Sequence, residues 1–468
     1  MPTQSRPSPH RRPLWVSVVI VSAAAWTLAG AGVDLSGWAN GSSGGRQRPT
    51  GSAQLVSVEP LPEMDGLACA WAGNNAGTAL TTAWQQQEGA GRADSQQPGA
   101  KGRAEASQRK PLRVIQDPYA AFSPVAVDVK NEEVVLTDEN NFRIMVYDRQ
   151  TNTPPKANMS EPKRTIGGSQ TKIEFQCGLY VDQTSGDIYA VNNDTVDTLV
   201  IFSRNAKGNV PADRELSTPH GTFGITVDEG RKELFLTVQH SNAVVVYDKM
   251  AKGKDAPLRT LQGNTTRLAD PHGIALDTKR KLMFVTNHGS TREFRTGGPG
   301  EGAGQPTRRT IPGSGRMVPS SITVYPIDAK GDTPPIRVIT GPKTQMDWPT
   351  GLALDEERGE LYVANDMGDS VLVFRTDAEG DAAPVRVLKG PKSTLKNPTG
   401  VFLDFKNNEL WVANFGNHSS TVYRMSAGGD TAPLRTIRSG PREEPALMIG
   451  NPGAVAYDSK RGNILVPN

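Results

Sequence analysis

The sequence predicts an all-β fold, a seven-bladed β-propeller closed by strands from both termini. Three observations predict it. A phrase of four short strands recurs from residue 111 onward, in steps of 46–54 residues apart from one step of 78. Its first strand always ends in Asp, at Asp128, Asp182, Asp228, Asp277, Asp355, Asp404 and Asp458. The last unit stops after its second strand, while 111–115 reads as a fourth strand with no unit before it, so the two fragments complete each other. Repeats of this size with four strands each mark a propeller, and closing the ring removes free sheet edges.

In chain order, the first 33 residues come first. Arg6, His10, Arg11 and Arg12 form a basic start, residues 14–33 carry no charge, and Ala29-Gly30-Ala31 suits cleavage. This is the pattern of an export signal. The same stretch is about 20 residues, enough for an uncleaved membrane anchor. Both readings place the remainder outside the cytoplasm: secreted, periplasmic or at the cell surface. Residues 34–110 are rich in Gly, Ser, Gln and Ala. They bury too little apolar surface to offset their ordering entropy, so a disordered linker is expected. The propeller then fills 111–468. A formal net charge of +3 over 468 residues argues against a nucleic-acid partner. Cys69 and Cys177 are too few for a disulfide scaffold, and whether they pair is open.

Each unit has assignable parts. The Asp residues precede turn-forming runs such as Glu356-Glu357-Arg358-Gly359, where a carboxylate caps backbone N–H groups. Third strands end in Tyr147, Phe202, Tyr247, Tyr325, Phe374 and Tyr423, which strand alternation places between blades. Fourth strands carry Arg164, Arg214, Arg259, Arg337, Arg386 and Arg435, expected in exposed ion pairs on the outer rim.

The run Asp138-Glu139-Asn140-Asn141-Phe142-Arg143-Ile144 resembles the D-x-x-N-x-R-I phrase of NHL repeats. Phe284-Val285-Thr286-Asn287, Tyr362-Val363-Ala364-Asn365 and Trp411-Val412-Ala413-Asn414 resemble the signature of the YVTN propeller repeats, known from extracellular surface proteins. The resemblance implies the fold. For function it implies a range: protein-binding and RNA-binding modules, an amidating lyase and lactonase-like enzymes. The lyase relatives hold zinc with histidines around the channel mouth. The matching entry positions here are Ser123, Cys177, Phe223, His272, Thr350, Thr399 and Gly453, so that histidine set does not carry over. The lactonase-like relatives need a carboxylate entering the first blade, where this chain has Phe122-Ser123-Pro124.

In a propeller, the loops entering a blade and those joining its second and third strands share one face. His220, His240, His272, His288 and His418 all map to that face. Asn287, Asn365 and Asn414 end second strands there, and the long insertion 288–320, with Arg292 and Arg295, emerges there. Histidine is a common metal ligand and acid–base group, which makes His240, His272 and His288 candidate ligands for a divalent metal. The expected function is an exported, monomeric binding module for a protein, envelope glycan or small molecule on this face. The alternatives are a metal-assisted hydrolase or lyase at the same face, or a structural protein of the envelope. Catalysis is left open.

Overall fold

The computed structural model describes residues 117–193, 196–293, 311, 313–447, 456–458, 460–461 and 463–465. The stretches expected to be an export signal or anchor (1–33) and a linker (34–110), together with 111–115, lie outside the described residues. Among the described residues, no helix is long and apolar enough to cross a membrane.

Six four-stranded antiparallel sheets follow one another along the chain. Blade one is Phe122–Asp128, Glu133–Asp138, Arg143–Asp148 and Arg164–Gly167. Blade two is Gln176–Val181, Ile188–Asn192, Thr198–Phe202 and Arg214–Ser217. Blade three is Thr222–Asp228, Glu233–Val238, Ala243–Asp248 and Arg259–Gln262. Blade four is Pro271–Asp277, Leu282–Asn287, Ser321–Pro326 and Arg337–Thr340. Blade five is Pro349–Asp355, Glu360–Asn365, Ser370–Arg375 and Arg386–Leu388. Blade six is Pro398–Asp404, Glu409–Asn414, Ser419–Arg424 and Arg435–Arg438. The only described helices are two single 3-10 turns, Pro342–Thr344 and Phe415–Asn417.

The ring has six blades, where the Asp count predicts seven. First strands lie side by side all the way round, with that of blade six directly beside that of blade one. Six large apolar clusters each join two consecutive blades, and a small seventh holds Ala121, Phe415 and Ala446. The cluster that closes the ring packs Trp411 and Val422 of blade six against Val134, Leu136 and Tyr147 of blade one. The physical reason for the shortfall lies in the last phrase. Blade one already owns four strands, and among the described residues the phrase around Asp458 supplies the two-stranded hairpin Ala456–Asp458 and Asn463–Leu465. Half a blade cannot fill a blade's place, and among the described residues blades six and one adjoin directly.

Hydrogen bonds make the sixth junction like the other five. Elsewhere a fourth strand bridges a glycine of the next blade, as at Ile166 with Gly208 and Leu388 with Gly429. At the closure, Thr153 N–H donates to Thr436 O and Ser160 N–H to Arg438 O. The segment entering blade one is clamped as well. Ala120 O accepts from Ser439 Oγ at 2.7 Å and meets His418 Nδ1 at 2.9 Å, and Leu447 N–H donates to Asp117 Oδ2 at 3.0 Å. The buried His418 is therefore part of this clamp.

The small residues of the first strands have a steric cause. A Cβ on Gly224 would lie 2.1 Å from His272 O, and one on Gly273 would lie 2.1 Å from Thr350 O. Neighbouring first strands thus approach backbone to backbone. The third-strand aromatics are buried between blades as their spacing predicts. The Asp residues cap their turns: Asp355 Oδ1 accepts from Glu357 N–H at 3.0 Å and from Arg358 N–H at 2.9 Å.

The arginines depart from expectation. They are largely covered rather than exposed on the rim. Arg259, Arg386 and Arg435 bind the Glu that opens the second strand of their own blade, Glu233, Glu360 and Glu409, at 2.8, 2.7 and 2.8 Å. Their guanidinium groups lie 5.2, 5.7 and 5.6 Å from the ring centroids of Phe235, Tyr362 and Trp411. The planar, weakly hydrated guanidinium tolerates this setting where an ammonium would not.

Candidate binding site at the channel mouth

The repeat brings three positions per blade to one end of the ring. The last residue of each second strand pairs with the first residue of the first strand, as Asn287 pairs with Pro271. The next residue donates its N–H back to the residue preceding the first strand: Glu139 to Ala121, Asn193 to Phe175, Gln239 to Gly221, His288 to Asp270, Asp366 to Trp348 and Phe415 to Asn397. The second residue of each first strand stands beside them: Ser123, Cys177, Phe223, His272, Thr350 and Thr399.

These positions form a network around the mouth. Asn193 Nδ2 donates to Gln239 Oε1 at 2.8 Å, and the Gln239 amide meets His272 Nε2 at 2.6 Å. The His272 and His288 rings stack with centroids 3.3 Å apart and an 18° tilt. His288 Nε2 lies 3.3 Å from Thr350 Oγ1. Phe223 flanks His272 at 4.2 Å and Trp348 flanks His288 at 4.9 Å, tilted by 57° and 35°, so that four rings lie in a row around the stacked imidazole pair. Trp348 is 48% exposed, so the row ends at solvent. On another arc, Glu139 Oε1 lies 3.8 Å from Cys177 Sγ, and Asp366 Oδ1 accepts from Asn397 Nδ2 at 3.0 Å.

Burial sets the charges here. It lowers His272, and it lowers His288 well below the ordinary imidazole range, so both rings are neutral at pH 7. Burial also pushes Glu139 up to about 8, with the nearby Asp138 and Asp366 adding to the shift. Asp366 is pushed up to about 6, chiefly by burial. At pH 7 Glu139 keeps its proton while Asp366 is largely ionised, so with the two neutral imidazoles the mouth offers both donors and acceptors of hydrogen bonds.

The sequence-predicted residues fall into three groups. His272 and His288 are in contact. His220 and His240 form a second pair, with centroids 5.0 Å apart, and His220 Nδ1 lies 3.0 Å from Asp197 Oδ1. Asn287, Asn365 and Asn414 are buried and committed to the blade: each Oδ1 accepts a backbone N–H of its entry loop, from Ala269, Asp347 and Lys396 at 2.9, 2.6 and 3.3 Å. Of the insertion, Ser290–Thr291 pairs with Arg316–Met317, and Asn242 Nδ2 donates to Thr291 Oγ1 at 3.2 Å. Arg292 is half-buried at its base, and Arg295 lies outside the described residues.

Sequence reasoning missed Glu139, Asn193, Gln239, Asp366, Trp348 and Asp270. A signal for most of them was present. The Asn that ends a second strand recurs because it builds the repeat, while the residue after it changes from blade to blade: Glu, Asn, Gln, His, Asp, Phe.

No family model and no curated protein matches the chain. Among solved structures it is similar to hydrazine synthase of Kuenenia stuttgartiensis, with 13% identity over 76% of this chain and 98% of that one and a TM-score of 0.44. It is also similar to a functionally unknown protein from Desulfotomaculum acetoxidans DSM 771, with 12% identity over 72% and 93% and a TM-score of 0.43. A chain of a nidogen/laminin complex gives 14% identity over 68% and 93%, with a TM-score of 0.40.

Proposed function

We propose that this protein is an exported binding propeller, related to the NHL and YVTN repeats, that takes a sugar or similar small polar ligand at the channel mouth. The fold suits an interaction module. The observation that carries the reading is the row of four rings ending in the exposed Trp348, set among amide, carboxyl and imidazole groups. An indole face covers the apolar side of a ligand while fixed polar groups meet its hydroxyls. Export is supported by the uncharged stretch 14–33 behind its basic start. The same surface presents carboxyls at Glu139, Asp270 and Asp366, which suit a hydroxyl-bearing ligand better than a polyanion such as nucleic acid.

Titrating tryptophan fluorescence of the full chain with a panel of neutral mono- and oligosaccharides tests this. At least one member is expected to shift the emission with saturation, and Trp348→Ala is expected to weaken that binding tenfold or more while leaving the melting temperature nearly unchanged. A panel without any saturable response, or a response that survives Trp348→Ala intact, counts against the reading.

A further inference from the structure

We propose that Asp270, His272 and His288 form a binding site for one divalent transition-metal ion of the zinc class. The inference shares the mouth with the function proposed above and would give that site a Lewis-acidic point, but it stands on its own geometry. The Asp270 carboxylate lies 3.7 Å from His272 Nδ1 through Oδ1 and 4.0 Å from His288 Nδ1 through Oδ2. One ligand atom from each of the three residues lies within 4.8 Å of the others. Ligands of a tetrahedral ion at about 2.0–2.1 Å stand about 3.3 Å apart, so the distances suit the ion, and the two stacked imidazoles splay apart to aim both Nδ1 lone pairs at it.

The outer contacts fit as well. Metal-bound imidazoles use one nitrogen for the ion and the other for a fixed partner. Here both Nε2 atoms have such partners, the Gln239 amide at 2.6 Å and Thr350 Oγ1 at 3.3 Å. Both Nδ1 atoms are turned to Asp270. On binding, His272 Nδ1 exchanges its 2.9 Å contact with Asp270 O for the ion.

The fold alone does not produce this set. The same three positions hold Ala121, Ser123 and Glu139 in blade one and Phe175, Cys177 and Asn193 in blade two. They hold Gly221, Phe223 and Gln239 in blade three, Trp348, Thr350 and Asp366 in blade five, and Asn397, Thr399 and Phe415 in blade six. Only blade four fills all three with ligating side chains. The positive φ of Asp270, 59°, recurs at Gly221, Trp348 and Asn397, so the loop geometry belongs to the repeat and the carboxylate to this blade. Two imidazole nitrogens and one carboxylate oxygen favour zinc, cobalt, nickel or copper over magnesium and calcium. Three protein ligands leave the fourth position for water or a ligand oxygen. The exposed His240, a sequence-predicted candidate, is not in the set.

The test is calorimetric titration of the tag-free full chain with zinc chloride after chelator treatment, with bound metal weighed by mass spectrometry. One equivalent is expected. Asp270→Asn and His288→Gln are expected to weaken it at least tenfold, and His240→Gln to leave it unchanged. Cobalt substitution should add the visible absorption of a four-coordinate ion to the wild-type protein, a readout that does not depend on any variant folding. No bound zinc, equal affinity in the Asp270 and His288 variants, loss in His240→Gln, or cobalt without that absorption each overturns the inference. Because metal is measured directly, its absence leaves the saccharide titration to decide the ligand reading.

Discussion

Truncating Trp411 to alanine is expected to cost about 4 kcal/mol of stability, towards the upper end of what the loss of one core side chain costs. Trp411 is fully buried in the cluster that joins blade six to blade one. Its removal leaves a large cavity at the closing junction and strips the ring from beneath Arg435, whose guanidinium lies 5.6 Å from the indole centroid. Chemical denaturation should show a midpoint shift of that size with the slope preserved. A chain ending at Leu447 is the companion test. It keeps Trp411, the bonds from Thr153 and Ser160, and the clamp on Asp117, so it is expected to melt close to the full chain. If it instead melted as low as Trp411→Ala, the ring would depend on the C-terminal hairpin and the six-blade closure would be wrong.

Replacing Glu139 by glutamine is expected to raise stability, and by more as pH rises. Burial holds the Glu139 carboxyl at about 8, above the unfolded value near 4.5. The folded state therefore binds the proton more tightly than the unfolded state. The stability this proton confers is whole below the unfolded pKa and is lost progressively as pH rises from about 4.5 to about 8. Glutamine keeps the shape and removes the titration. The gain should be near zero at pH 4.5 and on the order of 4 kcal/mol at pH 8. Denaturation of both proteins across that range checks it; a constant difference, or one that shrinks with pH, rules it out. A carboxyl retained at such a cost marks a functional position better than any hydrogen bond in the blades.

The blades were legible because a strand pattern reports its own periodicity. Glu360–Asn365 and Ser370–Arg375 stand where alternation and turn residues put them. The blade number was not. In sequence Asp458 ends a strand before a turn as Asp404 does, and a hairpin suffices for that pattern whether or not two further strands follow. The burial of Arg386 was hidden for a different reason. Sequence shows a charge on a short strand, but Glu360 lies 26 residues away and Tyr362 24, and only folding brings them together. At the mouth, histidine type gave away His272 and His288. Asp270 escapes notice because an acid before a proline reads as a loop residue. Glu139 escapes it because nothing local announces that a carboxyl will be desolvated.

The most direct measurement of a ligand site at the mouth compares the two faces of the ring. Thermal shifts are recorded for the wild type and two variants against the same saccharide panel and zinc. One variant alters the mouth, with Trp348→Ala, Asp366→Asn and Asn193→Ala. The other alters the opposite turns, with Glu356→Ala and Glu357→Ala. Any saccharide that stabilises the wild type is expected to cease stabilising the mouth variant and still to stabilise the turn variant. Stabilisation that survives in the mouth variant and disappears in the turn variant would contradict a binding site at the mouth.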